Sequence, residues 1–267
     1  IIPHGCLSKE AQNKSKLKKI IANILLFKRF IFNASKIQFL TENERKNSLN
    51  FNDNFYVLGN GININKTINE QVEKDKLFKF IYIGRFDIKT KGIDLLLEAC
   101  KYNREFMQEN NIILEIYGKS AGKTKGKEYI EKYIQKNNLQ KVIKLNTPVY
   151  DLEKINKLLQ ADIFIQTSRH EGQPLSVLEA LGYGKPVIVT PGTNFAEAVE
   201  KENMGWRVVP ESSKIAQKMK EAYLYSVENG LNFYSANAKK YIEDNFTWKR
   251  ITNKLLDIYK NIIQGEN

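Results

Sequence analysis

The alternation of apolar strands with helices between residues 78 and 209 is the feature that most limits the fold. Apolar runs predict strands at 78–84, 112–117, 142–145, 162–166, 186–190 and 206–209. Segments typical of helices lie between them, at 92–100, 128–136, 152–160, 175–181 and 195–200. Strands that are apolar almost throughout are buried on both faces, as in a parallel sheet covered by helices. The sequence therefore predicts an α/β domain with a doubly wound parallel sheet, which we place at 78–246.

A shorter region precedes this domain. It has apolar stretches at 36–40 and 55–58, a polar helix from about residue 42, and the dipeptide Asn60–Gly61, which favours a turn. Residues 67–77 are polar without core periodicity and are interpreted as a linker. The chain begins with Ile1–Ile2–Pro3, which reads like the end of a buried strand, so we expect the numbering to start inside a longer protein.

The net charge of +12, from 42 Lys and Arg against 30 Asp and Glu, suggests an anionic partner: nucleic acid, a membrane surface or a phosphorylated substrate. Only seven of these cations are Arg, the side chain that usually reads bases, which disfavours a nucleic-acid reader. Two distant cysteines and two histidines predict neither a disulfide framework nor a His-rich metal site, and no apolar run is long enough for a membrane span. A reduced cytoplasmic protein is expected.

The basic excess is concentrated in residues 1–50, which hold ten Lys and Arg and three Glu. Within them, apolar residues at helical spacing alternate with cations over 17–32, which predicts a basic amphipathic helix. One alternative is a helix packed on its own domain. The other is a surface that contacts anionic lipid, at the inner face of the plasma membrane.

Ligands of doubly wound sheets bind beyond the carboxyl ends of the strands. After the first strand, Arg85 and Lys91 can form an anion site beside a helix N-terminus, or they are solvated loop charges. After the second, residues 118–124 nearly match a phosphate-binding P-loop, but three residues rather than four separate the glycines. Because the backbone donors of a P-loop stand at fixed positions, we expect a surface loop there.

The fourth strand is followed by a loop that combines anion-binding and carboxylate features. Gly172 allows a ligand to approach the backbone, Pro174 suits a first helical turn, and the N–H groups that follow can hold a phosphate. Glu171 and Glu179 are poor phosphate ligands but good acceptors for sugar hydroxyls, which suggests a ligand containing both groups. The alternative for Glu179 is a helix-surface pair.

These residues resemble the signature of one family. The series Ser168-x-x-Glu171–Gly172-x-Pro174-x4-Glu179–Ala180 is similar to the E-x7-E motif of the retaining GT-B glycosyltransferases of group 1, family 4. The pairs Gly84–Arg85 and Lys91–Gly92 resemble that family's diphosphate-binding Arg and Lys, and 60–63 resembles its stretch before the interdomain linker.

The resemblance implies two Rossmann-like domains: residues 1–66 would be the C-terminal part of the acceptor-side domain, and the helix in 247–267 would cross back to it. Arg85 and Lys91 would hold the donor diphosphate in place of a metal, aided by the backbone of Gly172–Leu175, with Pro174 in that segment. Glu171 would position the hexose, and Glu179 would accept from the ribose. The base would lie near 145–149, at Thr147.

The implied reaction transfers a hexose from a UDP- or GDP-sugar to a hydroxyl of a saccharide or lipid-linked acceptor. It retains the anomeric configuration and needs no cofactor, and cell-surface polysaccharide or glycolipid synthesis is the expected setting. Residues 2–5 resemble a strand end of the family that faces the cleft, which makes His4 a weak acceptor-side candidate. A degenerate module that binds a nucleotide sugar without transfer is the alternative, and nucleic acid is not expected as a partner.

Overall fold

The computed structural model describes residues 1–13, 16–65 and 76–264. These residues form two units, which are described separately below: a first unit of Ile1–Ile62 with Asn245–Asn267, and a second unit of Asn63–Asp244. Most of the predicted linker, 67–77, lies outside the described residues, and the predicted domain boundaries stay predictions.

The first unit contains short elements around a small apolar core. Its helices are α1 (Lys9–Asn13), α2 (Lys16–Ala22), α3 (Lys28–Phe32) and α4 (Glu42–Asn47), with a π-helical turn, Asn23–Phe27, between α2 and α3. Its strands β1 (Ile37–Phe39) and β2 (Phe55–Val57) pair in parallel, and a C-terminal helix spans Trp248–Gln264. These elements confirm the strands and the helix predicted between residues 36 and 58.

The predicted helix over 17–32 is confirmed, but its apolar side chains are largely exposed. Leu17, Ile24 and Leu25 are 70–73% exposed, and Ile31 belongs to the core of the first unit. A helix packed on its own domain, the first alternative, would bury an apolar stripe. Within the described residues, this helix does not bury one on its own unit.

The turn predicted at Asn60–Gly61 is wrong. The backbone continues into Ile62, which forms a parallel bridge with Thr247. Gly61 lies so close to Trp248 that an added Cβ would stand 2.8 Å from the Trp248 Cα atom. The glycine permits close packing here, and the dipeptide signal was misread because that packing partner is remote in sequence.

The second unit contains the predicted sheet. Within the described residues it has six parallel strands: β3 (Phe78–Ile83), β4 (Ile112–Tyr117), β5 (Ile143–Asn146), β6 (Ile163–Gln166), β7 (Val187–Val189) and β8 (Gly205–Arg207). Their order is β5-β4-β3-β6-β7-β8, the doubly wound order in which the chain reverses direction beside β3. Residues 80–83 of β3 are at most 9% exposed although successive side chains point to opposite faces, so both faces are covered.

Helices connect these strands and continue after them: α5 (Ile93–Tyr102), α6 (Arg104–Glu109), α7 (Gly126–Lys136), α8 (Asp151–Gln160), α9 (Leu175–Gly182), α10 (Ala196–Lys201), α11 (Ser212–Asn229) and α12 (Asn232–Asn245). Helix α6 was not predicted, because its six residues are too few to show apolar side chains at helical spacing, and Met107 is the one that it buries. The core joins β3 and β4 to buried side chains of α5, α7 and α11. No helix of the described residues is both long and apolar enough to cross a bilayer.

Candidate functional site

The carboxyl ends of β3 and β6 are neighbours at the point where the strand order reverses. Here the loop after β3 packs against the loop after β6 at Gly92 and Thr167. Gly92 has a φ of 64°, and a Cβ atom on it would lie 1.9 Å from the Thr167 carbonyl oxygen. The Thr167 hydroxyl donates to the Gly92 carbonyl at 2.9 Å. Only glycine tolerates both this backbone conformation and this close contact. The contact at Gly92 therefore brings its neighbour Lys91 close to the loop that carries Glu171.

Glu171 is held by donors that converge on one of its oxygens. Its Oε1 atom accepts from Lys91 Nζ at 2.5 Å, and from Gln166 Nε2 and Ser168 Oγ at 2.7 Å each. Gln166 and Ser168 are buried, so they have few alternative positions. The carboxylate is therefore pre-oriented at the strand edge by neutral donors and one cation.

Lys91 and Glu171, assigned separate roles from the sequence, form an ion pair. Their side chains are 15% and 11% exposed. A pair with so little solvent around it interacts more strongly than one on the surface. The buried phenol of Tyr82 lies in the same field: its pKa is raised by burial, and further by the negative charge of Glu171.

Arg85 follows β3 and is exposed. It lines a cavity of about 170 Å³ together with Tyr117 at the end of β4, Lys119 after it, and residues 148–150 after β5. The cavity therefore lies at the same edge of the sheet as Lys91 and Glu171. The lining is mostly apolar, apart from Arg85 and Lys119, and suits a flat ring next to an anion.

Thr147, the predicted contact for the base, is exposed and lies outside the residues that line this cavity. Pro148, Val149 and Tyr150 line it instead. The predicted range, 145–149, includes Pro148 and Val149, and only Tyr150 lies beyond it; the assignment of this segment to the base stays a prediction. A mainly apolar loop beyond a short strand carried no signal that distinguished one position from the next.

Glu179 belongs to α9 and pairs with Lys154 of α8, with 2.7 Å between Nζ and Oε1. The pair was foreseen only as a general alternative, and Lys154 was not singled out from the sequence. A helix-to-helix contact of this kind depends on where two helices pass each other, which periodicity does not reveal.

The predicted phosphate-binding backbone lies directly before α9. Pro174 precedes the helix rather than standing in its first turn, and it is buried. The Leu175 N–H donates to the Gln173 carbonyl at 3.1 Å, and the Gly172 carbonyl accepts from Asn194 Nδ2 at 3.1 Å. The loop is thus held by one hydrogen bond within it, which engages the Leu175 N–H, and by another from Asn194, which lies after β7.

A second ion pair, not foreseen from the sequence, joins the loop after β6 to the start of α5. Arg169 Nη1 and Nη2 donate to the two carboxylate oxygens of Asp94 at 2.7 and 3.1 Å, and Nη1 also donates to the Lys89 carbonyl. Partial burial acts to raise the pKa of Asp94. Hydrogen bonds and charges from Arg169 and Lys89 outweigh it, so that pKa lies below its usual range. A bidentate pair of this kind adds geometric order as well as attraction.

The remaining predicted residue, His4, lies in the first unit, is exposed and has a φ of 49°. Its acceptor-side role stays a prediction. Among the described residues, no cluster of His, Cys, Asp and Glu has the composition of a metal site. Both cysteines are free, and burial raises the pKa of Cys100 to about 12.

Comparison with known proteins identifies a family for the second unit. A sequence model described as "Glycosyl transferases group 1" matches residues 63–244, more than half of the chain. The O-antigen biosynthesis glycosyltransferase WclY of Escherichia coli is 24% identical over 216 residues, which cover 71% of this chain and 60% of that protein. The poly(ribitol-phosphate) alpha-N-acetylglucosaminyltransferase of Staphylococcus aureus is 31% identical over 170 residues, or 60% and 31% of the two chains.

Solved structures agree on the fold. The crystal structure of Anabaena Alr3699/HepE in complex with UDP and glucose superposes with a TM-score of 0.76 at 17% identity, covering 97% of this chain and 70% of that one. The expected α/β fold of the GT-B type, with Rossmann-like architecture, is confirmed by such likenesses. The chain spans between about a third and three fifths of the length of the two curated relatives.

Proposed function

We propose that this chain, which belongs to the group 1 glycosyltransferase family, transfers a hexose from a nucleotide-diphosphate sugar to an acceptor hydroxyl with retention of configuration. One observation carries the proposal: the loops after β3 and β6 present Arg85, Lys91 and Glu171 at the point where the strand order reverses. This is where doubly wound sheets bind nucleotides. The proposed catalytic residues are Arg85, Lys91 and Glu171.

The two cations suit the diphosphate of the donor. As the bond between the anomeric carbon and the phosphate oxygen breaks, its electron pair moves to the leaving nucleoside diphosphate. Arg85 and Lys91 stabilise that growing charge, in the place that a metal takes in other sugar transferases. The acceptor oxygen bonds to the anomeric carbon on the face that the leaving group vacates. Its proton passes to the departing phosphate, so this step needs no protein base.

The neighbouring groups suit the rest of the donor. Glu171, oriented by Gln166 and Ser168, is placed to accept from the hexose hydroxyls. The cavity beside Arg85 suits the base, and Glu179 suits the ribose. UDP and GDP are both candidates, and the UDP held by the Anabaena structure supports UDP.

The proposed acceptor is a saccharide or a lipid-linked saccharide of a cell-surface pathway, in a cytoplasmic protein. Names of relatives concerned with O antigen and poly(ribitol phosphate) support this setting. The exposed apolar side chains of residues 16–32, interspersed with Lys and Arg, suit peripheral contact with an anionic membrane. Co-sedimentation with anionic but not with neutral vesicles is the expected result, and equal binding to both would contradict it.

Calorimetry of the chain with UDP and GDP, followed by NMR of the anomeric proton during turnover of UDP- and GDP-hexoses, tests the proposal. Lys91→Met should weaken nucleotide binding at least tenfold, because it removes a cation from the diphosphate site. Lys101→Met, which removes an exposed cation from α5, should not. Absence of nucleotide binding by the unmodified chain would refute the proposal. Tight binding without turnover would instead favour a binding module that lacks transfer activity.

A further inference from the structure

We propose that Lys154 is a positioning residue: its ammonium group holds the Glu179 carboxylate in the orientation that accepts the ribose hydroxyls of the donor. The inference rests on the proposed function, since it takes Glu179 as the ribose acceptor. It adds a residue from a different helix to that site.

The location of Lys154 ties two parts of the nucleotide site together. Lys154 lies in the first turn of α8, where its N–H donates to the Tyr150 carbonyl at 3.1 Å. Tyr150 and the two residues before it line the cavity beside Arg85. The segment that forms one wall of the proposed base cavity therefore continues directly into the residue that holds Glu179.

The contact has the geometry of a charge-assisted hydrogen bond. Lys154 Nζ lies 2.7 Å from Glu179 Oε1, and the two side chains are 26% and 27% exposed. A glutamate on the face of a helix otherwise samples several side-chain rotamers. Fixing one carboxylate oxygen removes most of that freedom before a ligand arrives, which is preorganisation.

The ammonium group and a ribose can bind the same carboxylate. An ionised carboxylate has two oxygens with about four acceptor positions between them, and one lysine occupies one of these. The alternative is that Lys154 and the ribose compete for the Glu179 carboxylate. In that case, removing the Lys154 ammonium group strengthens nucleotide binding. The sign of the effect therefore decides between positioning and competition.

The experiment compares ligands that differ only at the ribose. Calorimetry measures the affinity for UDP and for 2′,3′-dideoxy-UDP, and likewise for GDP and its dideoxy form. The variants are Lys154→Met, Lys154→Arg and Glu179→Gln. The control is Lys127→Met, which breaks an exposed ion pair with Glu131 on α7. Melting temperatures verify that each variant is folded.

The unmodified chain should prefer the ribonucleotide by about tenfold or more, because the dideoxy ligand leaves a polar group unpaired. Lys154→Met should reduce this preference by roughly three- to tenfold and leave the affinity for the dideoxy ligand unchanged. Lys154→Arg and Lys127→Met should keep the preference for the ribonucleotide. A merely structural role would lower both affinities equally, and that result would overturn the inference, as would tighter UDP binding by Lys154→Met. If Glu179→Gln leaves the preference intact, the ribose assignment itself fails. If neither nucleotide binds the unmodified chain, the proposed function fails.

Discussion

Breaking the Lys91–Glu171 ion pair should destabilise the second unit, and the two single substitutions should not be additive. Removing one partner of a buried ion pair typically costs about 3–5 kcal/mol, because the other charge stays buried without its counterion. Here the side chains retain 15% and 11% of their exposure, and Gln166 and Ser168 still donate to Glu171. We therefore expect the lower end of that range, about 3 kcal/mol, for Lys91→Met.

Glu171→Gln leaves the Lys91 ammonium among the same groups and should cost about 2–3 kcal/mol. The double variant removes both charges, so neither is left buried and unpaired. It should cost about 3 kcal/mol in total rather than the sum of the two. The coupling energy is then about 2–3 kcal/mol.

Urea unfolding followed by tryptophan fluorescence measures these free energies. The chain has two Trp residues: Trp206 lies in β8 of the second unit, and Trp248 lies in the first. In a Trp248→Phe background, the signal of Trp206 reports on the unit that contains the pair. The same cycle on Lys101 and Glu98, whose side chains are 45% and 28% exposed, is the matched control. Its coupling should be about 0.5 kcal/mol or less.

Additivity within about 0.5 kcal/mol for Lys91 and Glu171 would refute the reasoning, since contacts that matter energetically couple by more than that. Equal coupling in the two cycles would refute it too, because burial would then have no effect on the strength of the pair.

Two further predictions concern the same edge of the sheet. Gly92→Ala should lower the free energy of unfolding clearly more than Gly122→Ala. Both glycines have a positive φ, 64° and 56°, which strains alanine by about 1–2 kcal/mol. An added Cβ atom at Gly92 would also lie 1.9 Å from the Thr167 carbonyl oxygen, whereas at Gly122 it would meet open space. Equal losses in thermal unfolding would contradict the contact. For Asp94, a pKa lowered in the folded state means that its stabilising contribution is full above the ordinary aspartate pKa of about 3.9 and is lost as the pH falls through the lowered value. The stability difference between the unmodified chain and Asp94→Asn should therefore be constant above about pH 5 and shrink below about pH 4, and a difference that grows with acid would contradict the assignment.

The fold was largely predictable because the strands of a two-sided parallel sheet are apolar at almost every position. Phe80 and Ile81 point to opposite faces and are both buried, so the burial signal did not depend on guessing a register. The strand ends then identified Arg85, Lys91 and Glu171 as candidates, because parallel strands place the residues after them on one edge.

Contacts between elements distant in the chain were not predictable. The sequence shows that Glu179 lies on a helix, but the partner offered by another helix depends on how the helices cross. Asp94 and Arg169 lie 75 residues apart and pair only because the start of α5 meets the loop after β6 at Gly92. Gly61 was misinterpreted for the same reason, since its close neighbour Trp248 belongs to the C-terminal helix.

The strand order also determines when the charges of the site come together during synthesis. Strands β3, β4 and β5 are made first and form one half of the sheet, whereas β6 joins the free side of β3 later. The contact between Lys91 and Glu171 closes a loop of 80 residues, and loop closure of this length carries an entropic penalty that the growing sheet must offset. A nascent chain that ends before β6 therefore carries the cations of the site without the carboxylate that pairs with Lys91. Lys91 therefore gains its carboxylate partner only when the second half of the sheet docks.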